Sequence, residues 1–283
     1  MTSAAPKTFL LTAVAMLAFA ANSLLCRLAL GLEQIDAASF TSVRIISGAL
    51  AMGLMILPGI RSGERSEANW RSVLALFSYM ICFSLAYLSL AAGTGALILF
   101  GAVQITMIVS ALSAGERFPA AAWFGLALAI IGLVYLVSPG VTSPDPTGAM
   151  LMAIAGIAWG FYSLFGRTAT NPMQSTAYNF LYSVPLALLV SALLWNDFHL
   201  TPAGVGLAIT SGVLASGFGY YVWYLALRNL AAIQAATVQL SVPVIAAIGG
   251  VILIAEPVTI RLVVASVATL GGIAIVLTRR RAG

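Results

Sequence analysis

The side chains best placed for chemistry in this sequence are polar and aromatic residues set singly inside long apolar runs. Asn22 and Ser23 interrupt one run, and Trp159, Tyr162 and Ser163 interrupt another. Tyr79, Phe83 and Tyr87 follow at i, i+4 and i+8, one stripe of a helix, and Ser216, Tyr220 and Tyr224 repeat that stripe 137 positions later. Phe100 and Gln104 stand one turn apart in a further run, and Gln239 lies near the middle of another. An amide in such surroundings is costly without a partner. Rings offer stacking, while amides and hydroxyls offer hydrogen bonds. Polar atoms at that depth should face the bundle interior or a wet cavity, where a solute-facing role is open to them. A helix-to-helix hydrogen bond for Asn22 and plain packing for the rings are the competing roles.

Reaction chemistry has no comparable foothold. An enzyme site needs a nucleophile with its base, paired carboxylates or a set of metal ligands brought together. The one histidine, His199, falls in an expected loop with no metal partner in view, and no Asp or Glu lies near the middle of an apolar run. Neither an enzyme nor a cofactor is expected, and a proton-carrying carboxylate is not visible. Cys26 and Cys82 both fall in apolar segments, which favours packing over a disulfide. The balance of 13 Lys and Arg against 8 Asp and Glu does not indicate nucleic acid, because the basic residues sit at the ends of apolar runs.

The elements that must position these groups follow from composition. Hydrophobic residues make up 61% of the 283 positions and charged residues 7%, against roughly 25% charged in a soluble domain. A lipid bilayer is the solvent such a chain fits. About 20 apolar residues form one helical span, and ten spans are expected at 8–28, 37–57, 70–90, 95–114, 119–138, 148–168, 175–195, 203–226, 233–254 and 259–278. The first imitates a secretory signal, with Lys7, an apolar run and Ala18-Phe-Ala20, but its pairing with the sixth span argues against cleavage.

That pairing is part of a duplication. A shift of 140 positions carries Ser23 to Ser163, Arg27 to Arg167, Phe40 to Phe180, Glu116 to Glu256 and Gly132 to Gly272. Residues 1–140 and 141–283 are therefore expected to be two five-helix repeats, joined by the Pro- and Gly-punctuated linker Val141–Gly148. Five is odd, so the repeats cross in opposite directions: an all-α membrane protein of ten transmembrane helices in two inverted five-helix repeats. The side bearing the amino terminus carries ten Lys and Arg and the other side three (Arg27, Arg44 and Arg261), which sets both termini in the cytoplasm.

Several residues then acquire expected positions. Arg44 is the deepest charge, about 10 Å into its span, and is expected to snorkel to the outer surface. Pairing with Glu33, Asp36 or a solute carboxylate is the alternative. Tyr87 and Tyr224 fall near opposite surfaces, where an aromatic belt accounts for them. Glu116 and Glu256 stand at span boundaries, as helix caps or anchors. Pro243 frees the carbonyl of Gln239, four residues back, and weakens the helix there. Either a hinge or binding site, or a tolerated kink, follows. Gly212 with Ser216, and Ala246 with Gly250, have the spacing of close helix packing.

The ordered set Ser42-Val-Arg44, Gly115-Glu116, Gly132, Ser241-Val-Pro243, Ala255-Glu256 and Gly271-Gly272 resembles the EamA-type domains of the drug/metabolite transporter superfamily, twice over and across nearly the whole chain. Where that family usually has a proline in both halves, this chain has Val103 opposite Pro243. The resemblance implies a carrier of small organic solutes, often working outward. It also implies a central cavity lined by the first, third, fourth, sixth, eighth and ninth spans. Candidate cargo-binding residues on those spans are Asn22, Ser23, Tyr79, Phe83, Phe100, Gln104, Trp159, Tyr162, Ser163, Tyr220 and Gln239, with Pro243 as hinge. Export of amino acids or related metabolites across the inner (plasma) membrane by alternating access is the expected function. An exporter of lipophilic cations or drugs is the alternative, and it calls for a cavity acid that is not found. A non-transporting scaffold gives the duplication no purpose.

Overall fold

With no water in the bilayer core, backbone groups must be satisfied within each segment, and a chain this apolar answers with helices. The computed structural model describes residues 4–61, 69–115, 117–166, 169, 171–227, 229–230 and 232–279. Among these, the order is α1 (Ala4–Gly31), α2 (Ala37–Arg61), α3 (Trp70–Ala86), α4 (Ala92–Ser113), α5 (Ala120–Val137), α6 (Pro146–Gly166), α7 (Pro172–Leu193) and α8 (Pro202–Leu227). Then come α9, in two pieces (Ala232–Gln239 and Ser241–Ile254), and α10 (Ile260–Arg279). No strand occurs among the described residues beyond an isolated bridge between Ile35 and Leu200. Among the described residues, nine helices are long and apolar enough to cross a membrane, and α3, with 17 residues, is the shorter tenth.

Helix starts follow local chemistry. Asn69, Asn171 and Thr201 each accept a backbone N–H in the first turn of α3, α7 and α8, the last two with proline just inside the helix. The sequence expectation ran α3 on to residue 90; the structure ends it at Ala86. Tyr87 there is fully buried, its Oη donating to the Ala92 carbonyl at 3.2 Å and its ring resting on Gly95. A Cβ at Gly95 would lie 2.5 Å from that ring. The aromatic-belt reading of Tyr87 is thus corrected: the tight α3–α4 turn folds the ring inward. Tyr224 is likewise engaged inside the bundle, its Oη 3.0 Å from Thr176 Oγ1.

The ten helices form two inverted repeats, and their packing has matching symmetry. The first helix of each half packs on the third and fourth of the other: α1 on α8 and α9, α6 on α3 and α4. Counterparts meet directly where α2 packs on α7 and α5 on α10. At the α5–α10 seam the contact is reciprocal. A Cβ at Gly132 would lie 2.8 Å from the Thr269 nitrogen, and one at Gly272 would lie 2.6 Å from the Ala129 nitrogen. Since 129 maps to 269 and 132 to 272, each half offers the other the same patch, as a two-fold axis requires. Glycine is needed because the backbones themselves touch, the packing available where lipid supplies no hydrophobic drive.

Two helices depart from regularity. α9 is interrupted at Leu240, beside Gln239 and three residues before Pro243, whereas α4 with Val103 runs unbroken. The two halves therefore bend differently. In α8, expected as one regular helix, Ser211–Phe218 is a π-helix, wound with i→i+5 bonds.

Candidate functional site

Where the halves meet, α1 contributes Phe19, Asn22 and Ser23, α3 Tyr79 and Phe83, α4 Leu99 and Phe100, α6 Trp159, and α8 Ala215 and Tyr220 to the wall of one cavity. Its volume is about 20 Å³, room for a single water. The rings form a continuous lining: Tyr79 to Trp159 is 4.8 Å between centroids, Trp159 to Tyr220 5.3 Å, and Tyr79 to Phe83 5.4 Å.

Asn22, Ser23, Tyr79, Phe83, Phe100, Trp159 and Tyr220 thus come together, and four other candidates lie outside this cavity. Gln104 donates to the Ala236 carbonyl at 3.4 Å, tying α4 to the first piece of α9. Gln239 donates to Ala235 O in its own helix, and Ser163 to Trp159 O. Tyr162 packs its ring 5.4 Å from Trp159 and donates to Thr176 on α7. Among the described residues, none of α9 lines the cavity. Phe19 was missed, although the 140-residue shift pairs it with Trp159.

A polar circuit runs along one side of the cavity. Ser211 Oγ donates to Asn22 Oδ1 at 2.6 Å, and Asn22 Nδ2 donates to Tyr79 Oη at 3.1 Å. Arg44 Nη2 also donates to Tyr79 Oη, at 3.2 Å, and Arg44 Nε to Ser216 Oγ at 3.3 Å. In an α-helix, residues five apart stand about 140° away from alignment. The π-helical winding brings Ser211 and Ser216 back to one face, so both ends of the circuit rest on α8.

Arg44 requires a correction. It does not snorkel: its relative exposure is 0%, because α3, α7 and α8 pack around α2 and leave its side chain no path to a surface. Asp36 is not its partner, since that carboxylate accepts the backbone N–H groups of Ser39 and His199 at the mouth of α2. The guanidinium instead lies 5.2 Å from the Phe83 ring centroid and 5.5 Å from that of Tyr79. The signal was present: a charge inside a span faces the bundle interior.

At the end of the bundle remote from the amino terminus, Arg27 Nε meets Glu256 Oε1 at 2.8 Å, the side chains 22% and 12% exposed. Arg27 Nη1 also donates to the carbonyls of Tyr87 and Leu88. The second oxygen of Glu256 accepts the Ala92 N–H at 2.7 Å, a carboxylate at the amino end of α4. Ala255, in the left-handed conformation with φ 56°, ends α9 and turns Glu256 back toward that site. The anchoring role expected of Glu256 is thereby given its geometry. Its repeat counterpart Glu116, and Arg167, lie outside the described residues.

Ten apolar helices in two antiparallel halves, enclosing a polar and aromatic chamber at their junction, have the architecture of a membrane transporter. The chain belongs to the EamA-like transporter family, whose profile matches residues 6–138 and again 146–278, within the drug/metabolite transporter superfamily. The family consists of transporters, not enzymes. The chain is similar to the uncharacterized protein PA1977 of Pseudomonas aeruginosa, 48% identical over 274 residues (97% of this chain, 96% of that one). An uncharacterized transporter of Archaeoglobus fulgidus is 28% identical over 257 residues, covering 86% of this chain and 87% of its own length. The uncharacterized inner membrane transporter YedA of Escherichia coli is 31% identical over 98 residues, 34% of this chain and 30% of that protein. A crystal structure that covers 95% of this chain and 98% of its own, at 19% identity, has the same fold with a TM-score of 0.65.

Proposed function

We propose that this transporter moves small organic solutes, amino acids or related metabolites, outward across the inner (plasma) membrane by alternating access. The halves 1–140 and 141–283 rock against each other, and both termini are cytoplasmic. The observation that carries this reading is the shared lining: side chains from both repeats converge on one chamber, with amide, hydroxyl and aromatic groups together. Asn22, Ser23, Tyr79, Phe83, Phe100, Trp159 and Tyr220 contact the cargo. A cavity of about 20 Å³ must widen to admit it. The break at Leu240 beside Pro243 supplies a place where α9 yields. The inner-membrane placement draws support from the name of the YedA relative.

A lipophilic-cation exporter is the weaker reading, because the lining contains no carboxylate among the described residues and the Arg44 guanidinium packs against its Phe83 ring. Counterflow in proteoliposomes, screened with labelled amino acids and with labelled lipophilic cations, tests the choice. Movement of amino acids supports the proposal; movement of cations alone, or of nothing, overturns it.

A further inference from the structure

We propose that Arg44, with Tyr79, is the anchor for a carboxylate on the cargo, so that this carrier selects solutes bearing an anionic end and an apolar or planar body. The inference deepens the transport reading of the same chamber and rests on it.

Three observations carry it. Arg44 is fully buried, and its Nη1 has no hydrogen-bond partner among the described residues, the costliest kind of donor to leave unmet. Its hydrogen-bond partners, Ser216 and Tyr79, are neutral hydroxyls at 3.3 and 3.2 Å, longer than the roughly 2.7–2.9 Å of a charge-assisted pair. A buried guanidinium so weakly compensated is a standing attraction for an anion. Finally, the Tyr79 oxygen accepts from both Asn22 and Arg44, which leaves its own O–H free to donate.

Geometry sets the class of ligand. A guanidinium is a planar fork that matches the two oxygens of a carboxylate. Arg44 lies directly behind Tyr79 and Phe83, and both rings line the cavity. The widening that admits cargo between these rings therefore also uncovers the fork. The anionic end then takes Arg44 Nη1 and the Tyr79 O–H, while the body lies among Phe19, Phe100, Trp159 and Tyr220.

The test uses the full-length protein in proteoliposomes and a panel of labelled L-amino acids, each paired with its amide, which lacks only the carboxylate charge. The parent is expected to prefer acids over amides by about ten- to a hundredfold, the worth of a charge-assisted hydrogen-bonded contact. Arg44→Met is expected to fold, since an apolar side chain of similar length replaces an uncompensated charge, and to lose that preference. Arg44→Lys should keep the preference with weaker apparent affinity, because the charge remains and the fork is lost. Thermal unfolding in detergent provides a readout independent of turnover: acids should stabilise the parent and not Arg44→Met.

A parent that moves acids and amides equally, or an Arg44→Met protein that retains the preference, overturns this inference and leaves the transport reading standing. A parent that moves nothing in the panel overturns both. If Arg44→Met does not fold, Arg44→Lys and the parent's own selectivity decide. Loss of acid preference in Arg44→Lys, with amide transport and stability unchanged, would count against the role of charge and overturn it as well.

Discussion

Replacing Glu256 by Gln should unfasten the end of the bundle remote from the amino terminus. The Arg27–Glu256 pair, at 2.8 Å with side chains 22% and 12% exposed, lies between the surface case, worth about 0–1 kcal/mol, and the buried case, where removing one partner costs about 3–5 kcal/mol. A glutamine still offers a carbonyl to the Ala92 N–H, so only the charge pairing is lost. We expect a cost of about 1–2 kcal/mol. At about 1.4 kcal/mol per factor of ten, that raises the population open at this end about five- to thirtyfold. Cys26 reports it directly. It sits next to Arg27 with 0% exposure, and the chain has one other cysteine, Cys82, which Ala can replace. A thiol so buried reacts only from an opened state, at a rate that follows the open population. In a Cys82→Ala background, a membrane-impermeant maleimide added from the face remote from the amino terminus should label Cys26 about five- to thirtyfold faster once Glu256 is Gln. Arg27→Gln should do the same, and the double variant should add little to either alone, because both break one interaction. Unchanged labelling in Glu256→Gln, or fully additive effects in the double variant, would refute the latch.

Other outcomes follow from the same packing. Gly132→Leu should destabilise the protein by about 1–3 kcal/mol, as overpacking does, because a Cβ there already lies 2.8 Å from the Thr269 nitrogen; loss of unfolding temperature in detergent measures it. Gly271→Ala, with nothing within 4 Å, should leave that temperature unchanged. Trp159→Ala should reduce amino-acid counterflow at least tenfold, since its ring closes the lining between Tyr79 and Tyr220, whereas Gln104→Ala, bonded across α4 and α9 outside the cavity, should change stability more than selectivity. Ser211→Ala leaves Asn22 Oδ1 without its 2.6 Å donor and should cost about 1–3 kcal/mol, read by the same thermal assay.

Much of the architecture is legible in the sequence. Arg27 and Arg167, with Glu116 and Glu256, stand 140 residues apart in a chain with few charges, and that spacing marked the duplication better than its abundant Ala and Leu could. Asn22, Tyr79, Trp159 and Tyr220 were recognisable because a polar or aromatic group at mid-depth needs company. What escaped depends on neighbours distant in sequence. Arg44 looked able to reach the surface because its distance from the helix start was known and the helices packed around α2 were not. Tyr87 looked interfacial because the tight turn that folds it over Gly95 leaves no mark in hydropathy. The π-helical winding of Ser211–Phe218 has no residue pattern of its own here. Ser211 and Ser216 could therefore not be placed on one face from spacing alone.

The self-complementary seam between α5 and α10 has a consequence for how such a chain is assembled. Neither helix lines the chamber, and their glycines bring backbone against backbone, so under the proposed rocking motion this line would be the axle. A lone five-helix protein presenting that surface would already be able to grip an upside-down copy of itself. Severing the chain between Ser138 and Pro146 should accordingly leave two fragments that find each other in the membrane, and the peptide joining them adds proximity rather than instruction.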